Sequence, residues 1–406
     1  MRRSPLVPIF LIVLVDVLGL TIVIPLLAIY AESFGATPTI ASLLIPTFAV
    51  CQLLAGPVLG RLSDRHGRRP ILLISQFGTL LGFVLLAEAR TLWMVFAGRA
   101  LDGMTAGNLA VAQAYIADHT PPEKRARAFG LIGIAFGLGF LVGPAISGWL
   151  AHYDYSAPFW AAACMSAMSI AGTWFLLPRH ETPTAEPGRA RPGILDWEVY
   201  VEYFRRPVLR GVLLQFFVYM IAFTLFTGGF ALFAERHLRW DGELFTPREI
   251  GFTFAGAGLV GAIVQGGFMG RLVGALGESR LAVVGFCSLG AGYVVLGFAD
   301  TIALLAVSTA LSAFGGSVVR PALTSLVTQL GGRSEQGSVL GMTQALSSIA
   351  AICAPPIAGI LIEHDLGAAW AWLAAGFAIL GALLAPIGTH RAQPRSTDSV
   401  ASSAGK

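Results

Sequence analysis

Apolar residues in this chain come in stretches of about twenty, separated by short polar segments. A helix rises ~1.5 Å per residue, so a stretch of that length crosses a ~30 Å hydrocarbon core. Six such stretches occupy residues 6–30, 40–59, 71–87, 92–117, 128–151 and 158–177. A polar segment at 178–210 follows, and six more occupy 211–233, 250–269, 281–299, 302–330, 339–362 and 368–387. The pattern predicts an all-α membrane protein of twelve transmembrane helices in two pseudo-symmetric six-helix bundles. The expected units are an N-terminal bundle at 1–177, a cytoplasmic linker at 178–210, a C-terminal bundle at 211–388 and a disordered tail at 389–406 ending STDSVASSAGK.

Composition removes the soluble alternative. Of 406 residues, 55% are apolar and 12% charged, and the mean hydropathy is +0.72. The 48 glycines suit membrane helices that approach closely. The first apolar stretch is longer than a signal-peptide core and has no small-residue cleavage site, so it is expected to remain as the first membrane helix. Cys51, Cys164, Cys287 and Cys353 fall inside apolar runs without metal or redox spacing and read as small packing residues.

Charge fixes orientation. The segment GRLSDRHGRRP, residues 60–70, carries Arg61, Arg65, Arg68 and Arg69 between two apolar runs. Each would cost roughly 2.5–3.5 kcal/mol at bilayer depth, so the segment is a tight turn in water. On the same side fall Arg2, Arg3, Lys124, Arg125, Arg127, the arginines between 179 and 210, Arg271, Arg280, Arg333 and the tail. The other side holds Arg90, Arg236, Arg239 and Arg248. This asymmetry places both termini and the linker in the cytoplasm. The net charge of +4 carries no implication for nucleic acid.

An internal repeat supports two halves. GRLSDRHGRR from Gly60 has an echo in GRLVGALGESR from Gly270, 210 positions on. Gly143, Pro144, Gly148 and Asp154 match Ala354, Pro355, Gly359 and Asp365, 211 positions on. Transporters built from repeats place their binding site between the halves near the bilayer midplane.

Ionisable groups inside spans are the first candidates for function. Asp16 is the acid near the middle of the first span, and Arg99 and Asp102 stand three apart on one face of the fourth. Arg99 and Asp102 read either as a structural ion pair or as coupling groups. Counting rise per residue puts Asp16 and Arg99 at similar depth, so Asp16 is expected to carry the coupling proton with Arg99 as its tuner. Arg320, beside Pro321 in the tenth span, either reaches for the surface or binds an acidic substrate group where a helix break widens a cavity. Gln113, Tyr115, Gln215, Tyr219, Gln265 and Gln344 add polar points to the expected substrate cavity. GAGLVG at 256–261 satisfies a dinucleotide fingerprint but lies within a span with no preceding strand, so it reads as packing. No histidine spacing fits a metal and no Ser/His/Asp set clusters. Neither an enzyme nor a cofactor is expected; the energy source would be a proton gradient.

The order of Gly60, Asp64, Arg65, Gly67, Arg68 and Arg69 resembles the loop signature between helices two and three of the major facilitator superfamily. GRALDGMTAGNLAVAQAYIAD, from Gly98 to Asp118, is similar to its helix-four motif, and Gly139, Gly143, Pro144 and Gly148 resemble the Gly-Pro signature of its antiporter branch, with Ser147 in place of a glycine. The similarity is nearest to the tetracycline/proton antiporter group. It implies a proton-coupled exporter of a small amphipathic compound, monomeric, in a bacterial inner membrane. It also implies a gate in which Asp64 meets the start of helix eleven near Glu335 and Arg68 pairs with Asp118. Two departures from that group leave the substrate open, tetracycline included. Gly82, Leu289 and Gly261 stand where that group carries two acids and a histidine, and Arg320 replaces an apolar residue. Uptake of an anionic metabolite and a transporter-like sensor without flux are the alternatives.

Overall fold

The computed structural model describes residues 6–120, 125–177, 202–330 and 332–385. Most of the linker, the tail, and the side chains of Asp118 and Glu335 lie outside the described residues. The helices within them make twelve spans. Span one is Leu6–Val23, continued after Pro25 by the short helix Leu27–Glu32. Span two is Pro38–His66, opened by Thr37 as N-cap and Pro38 in the first turn, and span three is Arg68–Ala87. Span four is broken at Ala106–Gly107 into Leu92–Thr105 and Asn108–His119. Spans five and six are Arg125–Ala151 and Ala157–Leu176. Span seven, Pro207–His237, leads into a two-stranded hairpin that pairs Arg239 with Leu244.

The continuous helical stretch Pro247–Leu296 holds two spans, because Gly277 turns out of helical geometry at φ 73°. Span eight runs from Pro247 to this turn through a π-helical segment, Val264–Phe268, and span nine follows it. Spans ten to twelve are Ile302–Leu330, Gly332–Glu363 and Gly367–Leu383.

The turn at Gly277 repeats the one at Gly67 between spans two and three, where φ is 92° and ψ 157°; at Gly277 ψ is 158°. Only glycine takes that conformation without strain. The two halves also clasp each other reciprocally. A Cβ on Gly148 of span five would lie 2.8 Å from the Pro247 carbonyl that opens span eight. One on Gly359 of span eleven would lie 2.7 Å from the Pro38 carbonyl that opens span two.

Packing differs between the two ends of the molecule. At the end carrying residues 30–45 and 230–250, one apolar core joins both halves, with Tyr30, Phe159, Phe230, Ile250 and Trp370 among its members. At the end carrying the 60–70 turn that core continues in the second half alone, through Leu209, Val327 and Val339, and no cluster there among the described residues joins the halves. One cluster around Ile12, Leu72, Tyr115 and Ile116 belongs to the first half, and another around Val264, Leu281 and Val318 belongs to the second. The outer surface is apolar, with Leu54, Phe175 and Leu383 at 66%, 80% and 69% exposure. In water such a surface would associate, whereas in lipid it is solvated.

Candidate transport site

The seam between halves is tightest where spans five and eight cross. A Cβ on Gly251 would lie 2.5 Å from the Pro144 carbonyl, and one on Gly258 would lie 2.4 Å from the Phe140 carbonyl. Pro144 lacks an N–H, so the Phe140 carbonyl four residues earlier has no helical donor, and the backbone of Gly258 fits against it. Gly139 and Gly143 serve the other side of the same helix. The Thr21 hydroxyl of span one donates to the Gly139 carbonyl at 2.9 Å and sits where a side chain on Gly143 would fall. Two polar contacts join the halves at the end carrying residues 30–45 and 230–250: Arg236 to Glu32 at 2.6 Å, and the Thr39 N–H donating to Glu363 at 3.0 Å.

At the opposite end the turn is a single glycine, Gly67. Arg61 and Arg65 are exposed, whereas Arg68 and Arg69 are buried. Arg68 pairs with Asp64 and donates to the Ser63 hydroxyl at 2.7 Å. Arg69 donates to the Trp174 carbonyl at 2.7 Å and to the Thr173 carbonyl at 3.4 Å, and its guanidinium lies 5.3 Å from the Trp174 ring. It therefore satisfies carbonyls at the end of span six. The expected contacts of Asp64 with helix eleven and of Arg68 with Asp118 involve side chains outside the described residues. The contact present joins Asp64 and Arg68 to each other.

Inside the first half, Arg99 and Asp102 form an ion pair at 2.8 Å, with both side chains at most 5% exposed. The Arg99 guanidinium lies 4.4 Å from the Phe48 ring of span two. Arg99 is thus turned toward span two, and among the described residues no ion pair reaches Asp16. The side chains at hydrogen-bonding range of Asp16 are Ser169 of span six and Gln76 of span three. Equal depth placed Asp16 and Arg99 together in the sequence; in the structure Arg99 is committed to Asp102 and Phe48, and Asp102 is the charged group whose field reaches Asp16. Gly82 has a physical reason to be glycine, because a Cβ there would stand 3.0 Å from the Asp102 Cβ and 3.1 Å from the Gly98 carbonyl. Asp102, from span four, fills the space an acid at position 82 would need.

The expected cavity residues divide. Tyr219 donates to the Gly316 carbonyl at 3.3 Å, and Gln265, in the π-helical turn, donates to the Ser317 carbonyl at 3.5 Å. The second contact follows from Pro321, whose missing N–H leaves the Ser317 carbonyl free. Span ten does not break at Pro321, contrary to expectation; Gln265 satisfies the carbonyl and the helix continues. Arg320 is exposed, and its guanidinium crosses the gap between halves to lie 5.7 Å from the Phe136 ring of span five. Gln344 is exposed on span eleven and Gln113 half-buried on span four. Two residues leave the set. Gln215 is buried and donates to the Gly381 carbonyl of span twelve at 3.1 Å, and Tyr115 is buried in the apolar cluster of the first half. Phe48, Gln76, Phe136 and Ser169 were missed. Gln76 and Ser169 were visible as polar residues in apolar runs, whereas nothing in the sequence marks the two phenylalanines.

Comparison with known proteins agrees with this architecture. The chain matches the Major Facilitator Superfamily over residues 9–267 and 242–404. It is 30% identical over 370 residues to the tetracycline resistance protein, class E, of Escherichia coli, covering 89% of each chain. It is 26% identical over 386 residues to multidrug resistance protein 2 of Bacillus subtilis (strain 168), covering 92% of each. The crystal structure of the human organic anion transporter MFSD10 (TETRAN) superposes with a TM-score of 0.73 at 23% identity, over 94% of this chain and 99% of that one. With its twelve spans, its repeated glycine turns and a match over nearly its whole length, the chain belongs to the major facilitator superfamily and is a multi-pass membrane transporter.

Proposed function

We propose that the protein exports a small amphipathic organic compound in exchange for protons, by alternating access between its two halves. The observation that carries this reading is that the halves share an apolar core at one end and not at the end with the 60–70 turn. A molecule joined in this way can open to the other side by parting the five–eight and two–eleven seams. The relatives named as resistance proteins support export. The surplus of arginine at the end with the 60–70 turn supports a cytoplasmic opening, with both termini on that side of a bacterial inner membrane. The protein works as a monomer in lipid, and the proton gradient is its only energy source.

Asp16 carries the proton. Arg99 and Asp102 form a neutral pair that holds span four against spans two and three. Arg320, Tyr219, Gln265 and Phe136 contact the substrate, with Arg320 favouring compounds that bear an acidic group. That residue also supports a second reading, proton-coupled uptake of an anionic metabolite.

Everted vesicles with an internal pH dye separate the two. Addition of a panel of amphipathic probes, ethidium among them, is expected to release protons from acidified vesicles in exchange for inward probe movement. Uptake would give the opposite sign in right-side-out vesicles, and a sensor no proton movement in either. Asp16→Asn is expected to abolish gradient-driven movement of every probe while probe binding to purified protein persists; gradient-driven movement in Asp16→Asn would exclude the assignment.

A further inference from the structure

We infer that Gln76, held in place by Ser169, is the positioning group that donates to the Asp16 carboxylate once its proton has gone, the role that depth alone had assigned to Arg99. The inference rests on the reading of Asp16 as the proton carrier. Arg99 is committed to Asp102 at 2.8 Å and to the face of Phe48. Gln76 is fully buried in span three, and Ser169 is 1% exposed in span six. The Gln76 carboxamide donates Nε2–H to the Ser169 hydroxyl at 2.6 Å, and the Ser166 hydroxyl donates to the Gln76 backbone carbonyl at 3.1 Å. Ser169 in turn donates to the Ile12 carbonyl, one turn before Asp16 on span one, at 3.4 Å. Gln76 and Ser169 thereby tie spans one, three and six around the Asp16 carboxyl.

Packing alone does not account for an amide here. The Gln76 Oε1 is buried and has no hydrogen-bond partner among the described residues, so the group satisfies only its donor end, and a leucine of similar volume would leave nothing unsatisfied. The donor end is the one that matters to an acid. A carboxylate accepts hydrogen bonds and gains from neutral donors, whereas a protonated carboxyl gains less. Neutral donors also suit a carrier better than a guanidinium does. They favour ionisation enough for release and still allow the proton back, whereas an arginine in contact would hold the ionised form throughout. The unused Oε1 remains available to accept the Asp16 O–H after the amide turns over.

The test needs no substrate. Infrared spectra of purified protein in nanodiscs, recorded across pH, contain a carboxyl C=O band that Asp16→Asn removes. In Gln76→Met the midpoint of that band is expected to rise by about one unit, a tenfold gain in proton affinity. Gln76→Asn, which keeps the amide, is expected to move it less, and Ser169→Ala to move it in the same direction as Gln76→Met. An unchanged midpoint in Gln76→Met would mean a purely structural amide, and a lower one would mean that Gln76 serves the protonated form; either overturns the inference. If Gln76→Met does not fold, Ser169→Ala decides by the same criterion. Absence of any band sensitive to Asp16→Asn would instead overturn the proton-carrier reading beneath it.

Discussion

The two halves share a backbone and differ in what they put inside it. In the first, Gly82 of span three lies against Asp102 of span four; 210 positions on, Gly292 lies against Ser312, where a Cβ would meet the Ser312 Cβ at 3.0 Å, as at Gly82. By the same offset Asp16 corresponds to Phe226, Gln76 to Phe286 and Arg99 to Thr309. Phe226 lies 5.0 Å from the Tyr293 ring and 6.2 Å from that of Trp370, whose indole N–H donates to the Leu225 carbonyl at 2.9 Å. The first half therefore encloses ionisable groups and the second encloses an aromatic stack. Small residues at the helix crossings fix the fold twice over. The side chains that face inward are free to diverge, and at these positions ionisable groups stand in one copy.

The largest effect that sharpens this contrast is expected at Arg99. Removing one member of a buried ion pair leaves a charge without compensation and costs about 3–5 kcal/mol, whereas replacing both by apolar groups is often neutral. Arg99→Leu should therefore lower the thermal unfolding temperature in detergent strongly, and Arg99→Leu with Asp102→Leu should restore most of it. Thr309→Val with Ser312→Ala in the second half, which add no volume at the crossing, should change little. Persistent instability of the first double variant would show that Arg99 does more than pair with Asp102.

A smaller effect is expected at the seams, where the halves are alike. Gly258→Ala places a methyl against backbone of span five, and Gly359→Ala places one against the Pro38 carbonyl and the Ser42 hydroxyl, 2.3 Å away. Overpacking of this kind costs about 1–3 kcal/mol, and here the cost falls where the halves are joined. Each variant should increase labelling of a cysteine at position 39 or 248 by a membrane-impermeant reagent from the far side. Gly258→Ala should have the larger effect, because the three nearest atoms it meets are all backbone. Equal labelling to the parent protein would mean that these seams do not set the balance between states.

How much of this was legible follows from what sequence encodes. Twelve apolar runs and the repeated glycine turns gave the spans, because hydrocarbon thickness constrains length and positive φ constrains residue type. Arg99 and Asp102 were found because three residues along a helix return to one face. Asp16 was assigned the wrong neighbour, since depth follows from counting whereas direction around the axis depends on how helices pack. Gln215 misled for the same reason: a glutamine facing a cavity and one facing a partner's carbonyl look alike in sequence. Pro321 was read as a break because the donor that rescues the freed carbonyl, Gln265, comes from another span.

The smallest effect concerns the turns. Gly67 and Gly277 share their conformation, but the next residue differs in charge. Arg68 turns back to Asp64 and Ser63 at the end of span two. Glu278 reaches span ten, accepting from Gln329 at 3.0 Å and from Ser325 at 3.3 Å. A contact between exposed polar groups is worth about 0–1 kcal/mol. Glu278→Gln keeps an acceptor and should leave transport within about fivefold by that measure. Asp64→Asn removes the charge that holds Arg68 at the end of span two, and its effect should exceed that of Glu278→Gln. It should shift cysteine accessibility at the end with the 60–70 turn several-fold, with little change in thermal stability. Matched effects from the two variants would mean that the turns are structural equivalents, and the gating role proposed for Asp64 would then belong to neither half.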